Sequence, residues 1–193
     1  MPRRATLALL LLPWLAGCPD RASTTRSGPL PPTSLHHLTE PWTDAEGTTR
    51  RLADLRGHVV VMTMMFTNCE YACPRIVADL KAIEAALPAA ALGETRFVLA
   101  SFDAARDLPG VLREYARAAE LPAPRWTLLH APAGTVRTLA AALGITYQPV
   151  TGGGFAHSNV IVVLDRDGVI VHRQEGLGAD PAPTVAAVTS TAR

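Results

Sequence analysis

Cys69 and Cys73, four residues apart and followed at once by Pro74, are the residues of this chain best suited to chemistry. A thiolate attacks disulfides and binds soft metals. The pair follows the apolar run His58–Phe66 and precedes Arg75–Leu87, where Ile76, Leu80, Ile83 and Leu87 recur at helical spacing. It therefore stands at a strand–loop–helix junction, and Pro74 suits a first helical turn. A helix N-terminus offers free N–H groups and partial positive charge. That predicts a lowered thiol pKa at Cys73, extending to Cys69. Whether two cysteines at this spacing close a disulfide depends on their Cα separation.

Two thiolates select Cu(I), zinc or iron–sulfur clusters. Zinc and iron–sulfur sites usually need four protein ligands, and the third cysteine, Cys18, stands far away near the start. Two thiolates and one imidazole suit three-coordinate copper. Six histidines could supply the imidazole. His36 and His37 close a Pro/Ser/Thr-rich stretch and are expected to be solvated. His58 and His130 fall at strand edges, and His172 in a terminal hairpin. His157 follows the glycine-rich loop 151–156, which could swing a ligand onto a metal and away again. The residues alone leave that choice open. They leave open, too, a thiol–disulfide oxidoreductase in which one thiol attacks and the other resolves, a stabilising disulfide, and two buried apolar cysteines. Thr67, two positions before Cys69, admits a peroxidase reading, which the second cysteine opposes. Met62 and Met64 share one strand face and Met65 the other, which reads as core packing, with Met65 or Phe66 placed to wall the site.

The elements that must position these groups follow from periodicity. Residues 38–55 read as a hairpin turning at Asp44–Gly47. Strands follow at 58–66, 95–102, 126–130, 159–165 and 169–174. Helices are predicted over 74–87, from an Asp107 cap through Ala119, over 133–143 up to Gly144, and over 182–191. The order is hairpin, β, α, β, α, β, α, β, β, α. That is an α/β, thioredoxin-like three-layer domain with a mixed β-sheet and an added N-terminal hairpin. Ligands of such sheets favour the carboxyl ends of the strands, where Cys69 and Cys73 stand.

The first residues read as an address. Arg3 and Arg4 precede the apolar stretch Ala5–Leu12, which is too short to span a bilayer. Leu15-Ala16-Gly17-Cys18 resembles a bacterial lipobox, cut before a cysteine that is then acylated. The expected organisation is a signal peptide at 1–17, lipidated Cys18 with a flexible tether over 18–36, and the folded domain over 37–193. Removing the leader leaves 176 of the 193 residues and moves the net charge from +1 to −1, since only Arg3 and Arg4 are lost. Neither value suits a nucleic-acid binder, which needs a basic stripe. The expected location is the bacterial cell envelope, with the domain lipid-anchored to the membrane and facing the periplasm.

At these residues the chain resembles the Sco/SenC family of copper proteins. The likeness rests on Cys69, Cys73 and Pro74 after an apolar strand, and on Asp54-Leu55-Arg56-Gly57 before it. Ser101-x-Asp103 with Arg106-Asp107-x-Pro109 adds to it, as does His157-Ser158 followed by a strand and Asp165-x-x-Gly168. The resemblance implies a thioredoxin-like fold and copper ligation by Cys69, Cys73 and His157, with Cu(I) and also Cu(II) as cargo. It implies that Asp103 lies near the site or recognises a partner; pairing with Arg106 is the alternative, and Asp107 is read as a helix cap. The implied role is delivery of copper to the binuclear copper site of cytochrome c oxidase, or reduction of the thiols that receive it. The implied partner is that oxidase subunit, or another periplasmic copper or thiol protein. Two departures stand out. Glu70 replaces a proline frequent after the first cysteine, and Ala104, Ala105 and Leu108 alter the aspartate motif. A carboxylate beside Cys69 disfavours its thiolate.

Overall fold

The structure, a computed structural model, describes residues 28–193. The leader 1–17, Cys18 and the first part of the tether lie outside the described residues. A hairpin of β1 (Trp42–Asp44) and β2 (Thr49–Arg50) opens the domain. It does not stand alone, because β1 also pairs with β5 (Trp126–His130), Thr43 opposite His130. The Asp44 carboxylate accepts from the backbone N–H of Glu46 (3.0 Å) and Thr48 (2.8 Å), which closes the turn.

The apolar run becomes β3 (Val59–Met65), buried at all seven positions. It lies between β4 (Thr95–Ser101), to which it is parallel, and β8 (Val160–Leu164), to which it is antiparallel. Each fully buried Val or Met side chain stabilises by about 1.5–3 kcal/mol. Thr63, the polar exception, donates to the Val160 carbonyl at 2.7 Å. At its carboxyl end, where the cysteine loop begins, β3 stays paired with β4 as far as Met65 opposite Ser101. The seven-stranded sheet runs β2-β1-β5-β4-β3-β8-β9, with β9 at Ile170–Glu175. Its three parallel inner strands and antiparallel flanks, with helices packed on them, are the mixed sheet of the thioredoxin-like fold predicted above.

Helix α1 (Ala72–Ala86) buries Cys73, Ile76, Val77, Leu80 and Ile83, one stripe of an amphipathic helix. It begins two residues earlier than the proline predicts, so Cys73 lies inside its first turn. Buried Asp79 accepts from the Gly178 N–H at 2.8 Å and ties α1 to the segment before α5 (Ala182–Thr191). A short helix, α2 (Ala89–Glu94), was not anticipated; it packs Ala91 and leads straight into β4. Helix α3 (Pro109–Ala118) packs on β5, and α4 (Ala133–Leu143) ends at Gly144 as predicted. Among the described residues no helix is long and apolar enough to cross a membrane.

Three expectations are corrected. Asp107 does not cap α3; Leu108 holds that position, and the Asp107 carboxylate turns inward. The glycine-rich loop expected over 151–156 is the turn of a second, two-stranded sheet of β6 (Tyr147–Pro149) and β7 (Phe155–His157), which takes up Phe155 and Ala156. The third concerns His36, which is not solvated. Ser34 and Leu35 are buried beside it, and the Leu35 N–H donates to the Gly168 carbonyl at 2.9 Å. The ring occupies the space that a side chain at Gly168 would fill: a Cβ there would come within 2.8 Å of it. Burial, then the Arg56 charge, holds the His36 pKa down.

Candidate metal centre

The cysteine loop starts where β3 stops, and a carboxylate forty residues away fixes its first residue. Asp107 is fully buried. It accepts from the Thr67 N–H at 3.0 Å, and from the Thr67 and Ser101 hydroxyls. A buried carboxylate is tolerated when its lone pairs are met in this way. The loop then carries half-exposed Cys69 and enters α1.

The helix N-terminus acts on the pair differently from the sequence expectation. The Cys73 N–H, one of the free donors of the first turn, donates to Cys69 Sγ at 3.2 Å. Cys73 Sγ lies within the fold and accepts from the Phe66 N–H at 3.5 Å. Burial pushes the Cys73 thiol well above its ordinary pKa. The Phe66 hydrogen bond opposes that shift without reversing it, while Cys69 and Asp107 add to it. The lowered pKa predicted for Cys73 is therefore overturned. Removing the sulfur from water outweighs the partial charge of the helix end. The two sulfurs are not bonded to one another.

His157 comes from the other side. It sits on β7 opposite Tyr147, and its imidazole packs on Phe102 (centroids 4.9 Å) and edge-on to Phe66 (6.2 Å). Its Nδ1 lies 3.2 Å from the Ser158 carbonyl. With Nδ1–H donating there, the Nε2 lone pair is left for a metal. Phe155 and Tyr147 complete an aromatic wall with Phe66 and Phe102.

Ligand atoms of Cys69, Cys73 and His157 all lie within 4.8 Å of one another, the one such group of three or more among the described residues. Three atoms bound at about 2.0–2.3 Å around a shared metal in a trigonal plane lie about 3.5–4.0 Å apart, so the group would need to close by about 1 Å at most. The donor set, two sulfurs and one imidazole nitrogen, fits copper. The remaining histidines lie elsewhere: His37 against the Pro31 carbonyl, His172 against Thr184, His36 at Gly168, and His58 and His130 at the ends of β-strands.

Asp103 does not join the group. It is 3% exposed, and its carboxylate accepts from Arg106 Nε and from the Arg106 N–H at 3.2 Å. The ion pair with Arg106, the alternative reading, is present. Met62, Met64 and Met65 are core residues, whereas Phe66 does wall the site. Sequence reasoning missed the part played by Asp107, Phe102, Tyr147 and Phe155. Only the aspartate was visible as a motif residue, and nothing local tied it to Thr67. A cleft of about 730 Å³ lies apart, between α3 and strands β4 and β5, and contains none of these residues.

A family model described as SCO1/SenC matches residues 36–193. No curated protein matches the chain. Among solved structures, Bradyrhizobium japonicum ScoI with copper bound is similar, at 19% identity and TM-score 0.67, over 78% of this chain and 96% of that one. A SCO1/SenC family lipoprotein from Bacillus anthracis shares 21% identity at TM-score 0.70, over 80% and 94%. BsSco, a member of the Sco family of cytochrome c oxidase assembly proteins in which a disulfide switch was identified, shares 22% at TM-score 0.69, over 80% and 92%. At such identities these likenesses speak for the fold.

Proposed function

The chain belongs to the SCO1/SenC family, and from that premise we propose that it is an envelope copper metallochaperone. Cys69, Cys73 and His157 hold one copper ion, which passes to the binuclear copper site of cytochrome c oxidase. The observation that carries this reading is the convergence of two sulfurs and one imidazole from separate elements to within 4.8 Å. Copper bound to one similar structure and the oxidase-assembly role of another support it. Soft thiolates favour Cu(I), and the imidazole extends the set to Cu(II).

Each residue has a distinct part. Cys69 is half-exposed, so an incoming ligand of the client meets it first. Cys73 is buried on the first turn of α1 and is the fixed point of the site. Since its thiol is protonated in the metal-free protein, binding releases a proton. His157 arrives on the hairpin. Transfer as Cu(I) exchanges ligands one at a time and moves no electron. Cys18 provides the lipid anchor and the residues after it a tether that ends before buried Ser34, where the chain joins the folded domain, on the periplasmic side of the envelope; the Bacillus lipoprotein supports the lipid anchor.

The test is metal counting. The reduced protein should bind one Cu(I), and Cys69→Ala, Cys73→Ala and His157→Ala should each weaken binding. Undiminished binding in His157→Ala would overturn the three-ligand site.

A second reading is favoured by the exposure difference between the two unbonded sulfurs. Accessible Cys69 attacks a client disulfide and releases one client thiol. Buried Cys73 then attacks Cys69 Sγ, forms the Cys69–Cys73 disulfide and releases the second. An external thiol reductant returns the pair to its starting state. Here His157→Ala leaves client reduction unchanged, which separates the two readings.

A further inference from the structure

We propose that Arg106 is a positioning residue: anchored on buried Asp103, its guanidinium latches the β6–β7 hairpin and thereby holds His157 at the two sulfurs. The inference rests on the reading of Cys69, Cys73 and His157 as a copper site.

The hairpin needs an external hold. Each strand has three residues, and among the described residues the two pair only with each other. A hairpin of this size is marginal by itself. On its inner side Phe155 packs on Phe66 (5.2 Å) and Phe102 (5.1 Å). On its outer side stands Arg106. The Arg106 Cζ lies 6.0 Å from the Phe155 ring centroid, within cation–π range. A Cβ built on Gly153, whose φ is +85°, would come within 3.2 Å of Arg106 Nη1. The guanidinium thus occupies a notch left by a residue without a side chain.

The other end of the latch is rigid. Asp103 is tied by its own N–H to Ser101 Oγ at 2.9 Å, and its carbonyl accepts from the Asp107 N–H at 3.0 Å. The Arg106 Nε faces Asp103, which leaves Nη1 for the hairpin. A lysine has one ammonium and cannot face both. One turn, residues 103–107, therefore serves both halves of the site. Asp107 holds Thr67 on the sulfur side, and Asp103 acts through Arg106 on the imidazole side. Their spacing sets the distance between the sulfurs and the ring.

The test uses the full chain and two measurements. In the metal-free protein, amide exchange across 147–157 should be about tenfold faster in Arg106→Gln, with the unfolding midpoint unchanged. Arg106→Lys should shift exchange the same way by less. In competition with a Cu(I) chelator, Arg106→Gln should bind about tenfold more weakly, the scale of a lost outer partner. The double variant Arg106→Gln/His157→Ala should be no weaker than His157→Ala alone. Unchanged hairpin exchange in Arg106→Gln overturns the latch, whatever the metal does. Additive losses in the double variant overturn it too, since Arg106 would then act other than through His157. If His157→Ala binds copper like the wild type, the copper reading falls by itself, and exchange alone decides the latch.

Discussion

Cys73 stands on the first turn of α1, at the end of a strand buried on both faces, whereas His157 stands on a three-residue strand that, among the described residues, pairs only with its hairpin partner. The sulfur half is fixed by backbone pairing in the main sheet and by a fully buried carboxylate. The imidazole half is fixed by aromatic faces and one half-exposed guanidinium. Segments with few buried contacts and short ladders open at lower free energy than core strands. A stiff half beside a compliant half suits the proposed role, in which a metal is bound and also released. The ligand on the weaker support is the one that can leave without unfolding anything else.

The contrast can be broken at either end. Cys73→Ala removes the fixed sulfur, and Cu(I) affinity by chelator competition should fall by far more than about a hundredfold, beyond the range of outer-partner losses. A loss equal to that of Arg106→Gln would erase the distinction between the halves. Asp107→Ala leaves the Thr67 N–H and two hydroxyls without their acceptor. It should lower stability by about 3 kcal/mol in urea unfolding, at about 1 kcal/mol or more for each group left unpaired. If stability holds, the sulfur half is not anchored as described.

The buried thiol gives a third test. A folded-state pKa raised above the unfolded value contributes stability below the unfolded pKa, and that stability is lost as pH rises through it. Ordinary cysteine here titrates near 9.0 and Cys73 higher. The reduced, metal-free protein should therefore lose up to about 1.4 kcal/mol per pH unit above pH 9 through this group. Cys73→Ala should lack that component. The smallest effect is expected at the hairpin. Gly153→Ala places a side chain at positive φ and against Arg106, costing about 1 kcal/mol. That should weaken copper binding about fivefold with little change in the unfolding midpoint. A midpoint that falls as far as in Asp107→Ala would mean that hairpin and core are one cooperative unit.

Local signals were legible where one physical cause dominates. A short unbroken apolar run that is rich in valine and preceded by glycine reads as a strand covered on both faces, so β3 and the loop after it were readable. The spacing of Ile76, Leu80 and Ile83 made α1 readable, and Cys-x-x-x-Cys between them marked the reactive pair. The hairpin was not readable, because Gly152, Gly153 and Gly154 dominate a segment whose strands are three residues long. Asp107 was misread because an aspartate before a helix is usually a cap. Its bonds to Thr67 span forty residues, and no local pattern contains them. His36 was misplaced because a Pro- and Ser-rich neighbourhood resembles a tether, while the space left open by Gly168 lies on the far side of the chain.

Residue types and spacing determined by themselves the α/β order, the position of the thiols at a strand end and the short set of metals that two sulfurs admit. Those properties depend on neighbours in the chain. The tertiary structure decided which of six histidines faces the sulfurs, because Phe155 and His157 pack on Phe66 and Phe102 and so bring the hairpin to the carboxyl end of β3. It also decided the direction of the Cys73 pKa. A helix end supplies a fixed partial charge that can be read from the order of residues, whereas the desolvation that outweighs it exists only once distant side chains have closed over the sulfur.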